Sequence, residues 1–92
     1  MILAVSKAGH DKGTTYVIIK EEADGYYVAD GKTKSLSAPK KKNKKHLQLV
    51  KSIPKNEELE KLVEKFEKGQ LTSDHELKRI LTIYNSRRDE DV

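Results

Sequence analysis

The sequence predicts an α+β fold, in which a small five-stranded β-barrel over residues 1–52 is followed by a helical hairpin over residues 53–92. In the first half, short runs of β-branched and aromatic residues alternate with glycine-containing turns, a pattern typical of a small barrel. In the second half, apolar residues recur at helical spacing instead. A chain of 92 residues holds one domain, or one domain with an appendage, and buries only a small core.

The predicted strands are short and are separated by turn residues. Ile2–Val5 and Tyr16–Ile19 flank a polar loop that carries two glycines, and Tyr26–Ala29 lies between two Asp-Gly turns. Lys32–Leu36 is predicted as an edge strand, where its lysines would discourage unwanted pairing. His46–Val50 supplies a fifth strand that would nearly close an SH3-like barrel. The predicted core consists of Leu3, Val5, Val17, Ile19, Val28, Leu36, Leu47 and Leu49.

Two amphipathic helices joined by a short turn are predicted in the second half. Asn56 is a suitable N-cap for the first helix, and Gly69 can end it. Ser73 and Glu76 form a capping box for the second helix, and a frayed tail is expected from Ser86 onward. Each apolar stripe must be covered by the other helix, by the barrel or by a partner. The stripes are Leu59, Leu62, Val63 and Phe66 on the first helix, and Leu77, Ile80, Leu81 and Tyr84 on the second.

The charge of the chain is unevenly distributed. Residues 1–55 contain 12 lysines against 5 acidic residues, whereas residues 56–92 contain 7 basic against 10 acidic residues. A basic half suits a polyanion, although lysine-rich surfaces are also often simply solvated. The sequence contains no cysteine and no apolar run of transmembrane length, and its first residues, Met1–Val5, are not expected to act as a signal peptide. We therefore expect a cytoplasmic protein without disulfides and without a membrane partner.

The first polar loop, SKAGHDKG at residues 6–13, combines two lysines with a histidine, a hydroxyl group and glycines that expose backbone N–H groups. Such loops hold phosphates well, because charge and backbone donors converge. The alternative is a tight turn, in which Asp11 caps local N–H groups and the lysines are solvated.

A second cationic segment, PKKKNKKHL, occupies residues 39–47. Pro39 disfavours a helix here, and five of the six residues 40–45 are lysines, which repel one another unless they are neutralised. Lysines bind phosphates without reading sequence, while Asn43 and His46 can add hydrogen bonds to a base edge or a 2′-hydroxyl. If about five phosphates are neutralised, log K should fall with log salt at a slope of roughly −3.5 to −4.5. A nuclear-localisation or merely solvated run is the alternative.

The first half of the chain resembles the KOW domain of a large-subunit ribosomal protein family of archaea and eukaryotes. The resemblance is carried by the order of its features: a hydrophobic strand, SKAGxDKG, a second strand, a DG turn and PKKKNxKH. The chain is also similar to the small bacterial RNA-binding relatives of that family. This resemblance covers roughly residues 1–50 and implies an SH3-like barrel that binds RNA in a ribosomal setting. Two features depart from it: His10 stands where the family usually has arginine, and the segment after Val50 does not resemble the family's extensions.

These observations predict an RNA-binding protein that contacts the RNA backbone through basic barrel loops. The resemblance implies that the protein is associated with the ribosome and that the RNA is ribosomal RNA. Few aromatic residues are present, so recognition should rely on RNA shape and backbone rather than on base sequence. A second hypothesis is an adaptor that docks a ribosomal or transcription-machinery protein through the helical hairpin. The predicted RNA-binding residues are Ser6, Lys7, His10, Lys12, Gly13, Lys40, Lys41, Lys42, Asn43, Lys44, Lys45 and His46.

Neither an enzyme nor a metal site is predicted. The three histidines, His10, His46 and His75, are widely separated and lack cysteine or grouped carboxylate neighbours. The glycine loop lacks the spacing of a nucleotide-binding P-loop, and no nucleophile–base arrangement is recognisable. We therefore expect no catalytic residues and no cofactor.

Overall fold

Five antiparallel strands and two C-terminal helices build the protein in the computed structural model, which describes residues 3–70 and 73–88. The α+β prediction is therefore confirmed, with two helices in the second half. The strands are β1 (Leu3–Ser6), β2 (Thr15–Glu21), β3 (Gly25–Ala29), β4 (Lys40–Asn43) and β5 (Leu47–Leu49). The helices are α1 (Glu57–Glu67) and α2 (Asp74–Arg88), and Lys44–His46 forms one turn of 3₁₀-helix. Ile2, predicted in the first strand, lies outside the described residues.

The strand order is β4-β3-β2-β1-β5, so the two edges of the sheet are consecutive in sequence. In a flat sheet these edges would be about 19 Å apart. The single 3₁₀ turn between them spans only about 8 Å, so the sheet must curve strongly. The Lys44 N–H donates to the Asp24 carbonyl (3.2 Å), and the His46 carbonyl accepts from the Lys7 N–H (2.8 Å). Within the described residues β4 and β5 do not pair, so the sheet remains open.

Both faces of the sheet are buried, which makes two separate cores. One face packs against the helices through Leu3, Val17 and Ala29. The other face lines the inside of the curved sheet with Ala4, Tyr16, Ile18, Tyr26, Val28 and Leu47. Because both faces are covered, consecutive residues of β2 are buried, where a one-sided strand would alternate.

The predicted core is correct for half of its members: Leu3, Val17, Val28 and Leu47 are buried. Val5, Ile19 and Leu36 are only partly buried, and Leu49 is 38% exposed. The register of β2 against β3 shifts between Ile18 and Lys20, so Ile19 occupies a bulge and leaves the expected alternation. The predicted core also omitted four residues that are buried in the second cluster: Ala4, Tyr16, Ile18 and Tyr26.

The predicted edge strand Lys32–Leu36 is wrong, since the fourth strand is Lys40–Asn43. Asp30 explains the error: its Oδ1 accepts from the backbone N–H groups of Lys32 and Lys34, both at 2.9 Å. Its Oδ2 accepts from the Thr33 hydroxyl at 3.0 Å. These amides are thus engaged by a side chain, which competes with strand pairing. The cationic segment takes the edge instead, where lysines are tolerated.

The helix caps agree with the sequence. The Asn56 Oδ1 accepts from the Leu59 N–H (2.9 Å), and Gly69 ends α1 with a φ of +72°. The Ser73 hydroxyl accepts from the Glu76 N–H (3.2 Å), which completes half of the capping box. The Glu76 side chain instead forms an ion pair with Lys65 of α1. Helix α2 continues to Arg88, and the rest of the tail that is predicted to fray from Ser86 lies outside the described residues.

The apolar stripes of both helices pack on the sheet and on each other. Leu59 of α1 and five residues of α2 share one buried cluster with Leu3, Val17 and Ala29; the α2 members are Leu77, Ile80, Leu81, Ile83 and Tyr84. Arg79 of α2 also forms two hydrogen bonds of 2.8 Å with Glu58 of α1. No helix within the described segments is long and apolar enough to span a membrane.

Gly31 allows the β3–β4 connection to lie close against α2. Its φ is +78°, and an added Cβ would lie 2.5 Å from the Asp74 carbonyl oxygen and 3.0 Å from the Lys78 nitrogen. Gly69 has a similar φ, but a Cβ there would meet nothing within 4 Å. A comparison of the two glycines therefore separates the effect of a positive φ, which both have, from the effect of close contact with α2, which only Gly31 has.

We predict that Gly31→Ala destabilises the protein more than Gly69→Ala does. Both variants should lose about 1–2 kcal/mol because alanine disfavours a positive φ. Gly31→Ala should lose about 1–3 kcal/mol more, because its methyl group collides with the α2 backbone. Urea unfolding of both variants measures the difference, and equal losses would contradict the close contact with α2.

Candidate nucleic-acid interface

The β1–β2 loop is ordered by hydrogen bonds between its own backbone groups. The Gly13 N–H donates to the Ser6 carbonyl (2.8 Å), and the Thr14 N–H donates to the Asp11 carbonyl (2.9 Å). Gly9 and Gly13 have φ values of +85° and +91°, a region that side chains strongly disfavour. The loop therefore presents its lysines from a fixed backbone rather than from a mobile segment.

Asp11 connects this loop to β2 and β4. Its Oδ1 lies 2.9 Å from the Ser6 hydroxyl, and its Oδ2 accepts from the Tyr16 hydroxyl at 2.6 Å. Lys42 of β4 places its Nζ 2.5 Å from the same Oδ2. The hydrogen bond from Lys42, followed by that from Tyr16, lowers the pKa of Asp11 far below its usual range and outweighs the opposing effect of burial. Asp11 is therefore ionised at neutral pH and fixes β4 beside the loop.

Tyr16 supports this carboxylate from inside the curved sheet. The side chain is 1% exposed, and its hydroxyl accepts from Lys34 Nζ at 3.1 Å while it donates to Asp11. Burial, followed by the neighbouring Asp11, raises the pKa of Tyr16 well above its ordinary value. The ammonium groups of Lys34 and Lys42 lie 4.9 and 5.7 Å from the centre of its ring, within cation–π range. Tyr16 thus holds two lysines near the loop.

The two predicted cationic segments lie side by side. A surface groove of about 350 Å³ separates them, and Lys40 and Lys42 line it because alternate residues of β4 face the same side. The loop contributes the opposite wall and His46 contributes a further imidazole; the lining residues are Ala8, Gly9, His10, Asp11, Lys34, Lys40, Lys42 and His46. Residues that are far apart in sequence therefore form one polar groove.

Three of the predicted lysines are partly neutralised by their own chain. Lys41 pairs with Asp24 at 3.0 Å, Lys44 pairs with Glu21 at 2.7 Å, and Lys42 pairs with Asp11. These carboxylates raise the pKa values of Lys41 and Lys44. The fold thereby relieves the repulsion expected within the lysine run.

Four predicted lysines remain exposed and form no ion pair within the described part of the chain. They come in equal number from the loop and from the second segment: Lys7, Lys12, Lys40 and Lys45. The sequence alone counted five lysines in the second segment as available for phosphate. Within the described residues, two of those five are unpaired, and so are both lysines predicted in the loop.

The remaining predicted residues divide between structural and exposed positions. Ser6 is buried, and its hydroxyl lies within hydrogen-bond distance of the Ala8 carbonyl and Asp11. Asn43 caps the 3₁₀ turn, because its Oδ1 accepts from the Lys45 N–H at 2.9 Å. His10 and His46 are exposed beside the groove, whereas Gly13 borders a different groove.

Sequence reasoning missed Lys34 and the role of Tyr16. Lys34 was assigned to an edge strand, and Tyr16 was treated as an ordinary strand residue. Both depend on contacts across the fold, so no local pattern marks them. Among the described residues, no group of three or more His, Cys, Asp or Glu side chains is placed to hold a metal ion. No protein-family model and no curated protein sequence matches the chain.

We predict that Asp11→Asn destabilises the protein in a pH-dependent manner. Because the folded-state pKa is lowered, the ionised carboxylate contributes stability that is fully present above the unfolded-state pKa of about 4. This contribution is lost as the pH falls towards the lower folded-state pKa. The variant should lose about 1–2 kcal/mol at neutral pH and less in acid.

Urea unfolding at pH 7 and near pH 3 measures this difference. Asp24→Asn is the matched control, because it breaks a comparable ion pair whose carboxylate side chain is 74% exposed. The control should change little, since exposed pairs are screened by solvent. An equal loss of unfolding free energy at both pH values would show that the ionised Asp11 carboxylate does not stabilise the fold through Lys42 and Tyr16.

Proposed function

We propose that this protein binds RNA and contacts the phosphate backbone through the groove between the β1–β2 loop and the Lys40–His46 segment. One observation carries the proposal: the loop and the segment lie side by side, and four of their lysines are exposed and form no ion pair within residues 3–70 and 73–88. Unpaired lysines on neighbouring elements suit a chain of phosphates, because each bound phosphate releases condensed counterions.

Backbone contacts account for most of this proposed interaction. Lysine reads no base, and the exposed imidazoles of His10 and His46 offer hydrogen bonds to a base edge or a 2′-hydroxyl. Tyr16 and Tyr26 are buried in the sheet and are not available as stacking platforms. We therefore propose recognition of folded RNA by its shape and backbone.

A ribosomal setting and a KOW identity are the finer parts of this proposal. The resemblance of residues 1–50 to KOW domains supports both. The strand order and the short 3₁₀ turn between the two edge strands are compatible with an SH3-like barrel that is nearly closed. On this view the lysines lie on the loops and on one edge of the barrel, and ribosomal RNA is the proposed partner.

The adaptor hypothesis has less support. An adaptor that docks through the helical hairpin needs an exposed apolar face, whereas the apolar stripes of α1 and α2 pack on the sheet. Among the described residues, Leu49 is the one large hydrophobic side chain that is exposed, and it lies on β5. The lysines that form no ion pair among the described residues, in contrast, include two from the loop and two from the Lys40–His46 segment.

We predict that Lys7→Gln with Lys40→Gln, one change in the β1–β2 loop and one in β4, weakens RNA binding. The slope of log K against log salt should become shallower by about 1.4–1.8, because each lysine lost removes one phosphate contact. Fluorescence anisotropy with a labelled ribosomal RNA hairpin, measured over a salt series, gives this slope for the full chain.

Lys51→Gln with Lys55→Gln is the matched control. It removes the same charge at exposed positions. The Val50 N–H donates to the Leu3 carbonyl, so Lys51 lies near the start of β1, whereas the β1–β2 loop follows the end of β1. The control should retain the wild-type slope. Equal effects of the two double variants would show that only net charge matters and would refute a site at the groove.

A further inference from the structure

A second polar groove lies on the other side of the β1–β2 loop, between this loop and α2. Its volume is about 310 Å³, and the helix forms one wall of it. The polar side of the groove is built by Gly13, Thr14, Lys32, Lys78, Thr82 and Asn85. None of these residues except Gly13 belongs to the predicted RNA-binding set.

The charge of this second groove favours an anion. Lys32 and Lys78 are exposed, and neither forms an ion pair within the described residues. The carboxylate in the groove, Asp30, already accepts from two backbone N–H groups and the Thr33 hydroxyl. Burial opposes its ionisation, yet these hydrogen bonds keep its pKa below the ordinary value. Two ammonium groups therefore face one carboxylate that is engaged elsewhere.

Neutral donors add to the two lysines. The Asn85 Oδ1 accepts from the Thr15 hydroxyl at 3.2 Å, which orients the amide and leaves its N–H groups as donors at the groove. The Thr82 hydroxyl donates to the Lys78 carbonyl at 2.9 Å, so its oxygen still faces the groove as an acceptor. Ammonium and amide donors together suit a phosphodiester group and its ribose hydroxyls.

The fold holds the two lysines near each other by close backbone contact. Gly31 leaves no space for a Cβ against the Asp74 carbonyl and the Lys78 nitrogen, so Lys32 follows directly after this contact with α2. The Leu36 N–H also donates to Asp74 Oδ1 at 2.7 Å. The backbone thus places two like-charged side chains on a single groove, and a bound anion would relieve their repulsion.

The two grooves share their walls. Residues 8–11 of the β1–β2 loop line the first groove and residues 13–14 line the second, so Asp11 and Gly13 are at most about 7 Å apart along the chain. The turn that follows β3 contributes Lys34 to the first groove and Lys32 to the second. A polyanion that follows the first groove therefore reaches the second within a few phosphates.

We infer, on the basis of the proposed function, that the RNA backbone crosses the β1–β2 loop and continues into the α2 groove, where Lys32 and Lys78 bind its phosphates. Helix α2 then has two roles: its apolar face stabilises the sheet, and its Lys78–Asn85 segment extends the RNA-binding surface. The site takes a phosphodiester segment of the same RNA that occupies the first groove.

The test compares Lys32→Gln with Lys78→Gln against the control Lys51→Gln with Lys55→Gln, using anisotropy with the same RNA hairpin over a salt series. The salt slope of the groove variant should become shallower by about 1.4–1.8, and its affinity near 0.1 M salt should fall by roughly tenfold or more. The control should match wild type. Both substituted positions are exposed, and thermal unfolding monitored by circular dichroism confirms that each variant is folded.

A wild-type slope for the Lys32 and Lys78 variant, together with a shallower slope for the Lys7 and Lys40 variant, would overturn this inference and leave the proposed function intact. A wild-type protein that binds no RNA at low salt would instead overturn both.

The absence of cysteine permits a second test, in which Thr82→Cys carries a photo-crosslinker. Crosslinking to RNA from this position but not from Lys61→Cys supports the inference, and the reverse result rejects it.

Discussion

The proposed binding surface depends on the hydrogen bonds that the ionised carboxylate of Asp11 accepts. It lies in a loop whose backbone is already fixed by two glycines with positive φ, and it accepts hydrogen bonds from Tyr16 in β2 and from Lys42 in β4. These contacts connect the loop and the adjacent β2 to β4, which is distant in sequence. Without them, nothing among the described contacts would hold the side chains of β4 to this loop.

A second constraint is the distribution of charge. The chain places carboxylates beside three of the crowded lysines and leaves Lys7, Lys12, Lys40 and Lys45 exposed. Pairing reduces repulsion in the free protein, and the unpaired lysines remain available to a polyanion. A lysine run in a sequence therefore overstates the number of cations that a ligand can use, because acidic partners from other elements are invisible at that level.

Local rules predicted the parts of the fold that local interactions determine. The Asn56 cap, the Gly69 stop and the apolar stripes agree with the structure, because capping and helical periodicity involve neighbouring residues. The fourth strand could not be placed in this way, since the Asp30 side chain captures the amides of the expected strand. The core alternation also failed, because the curved sheet is buried on both faces and Ile19 occupies a bulge.

The same distinction applies to the candidate interface. Sequence reasoning found both cationic segments, because glycine, lysine and proline patterns are local. It did not find Tyr16 as a support for two lysines, or Lys32 beside Lys78, because those arrangements arise only when the sheet curves and α2 packs on it. Both helices of the predicted hairpin also share a core with the sheet.

The most direct test of the account is an NMR titration of the full ¹⁵N-labelled chain with a ribosomal RNA hairpin at low salt. The account predicts that amide shifts change in residues 7–14, 32–34, 40–46 and 78–85, while the exposed face of α1 stays unchanged. Shifts confined to α1, or no change anywhere in the described residues, would contradict it.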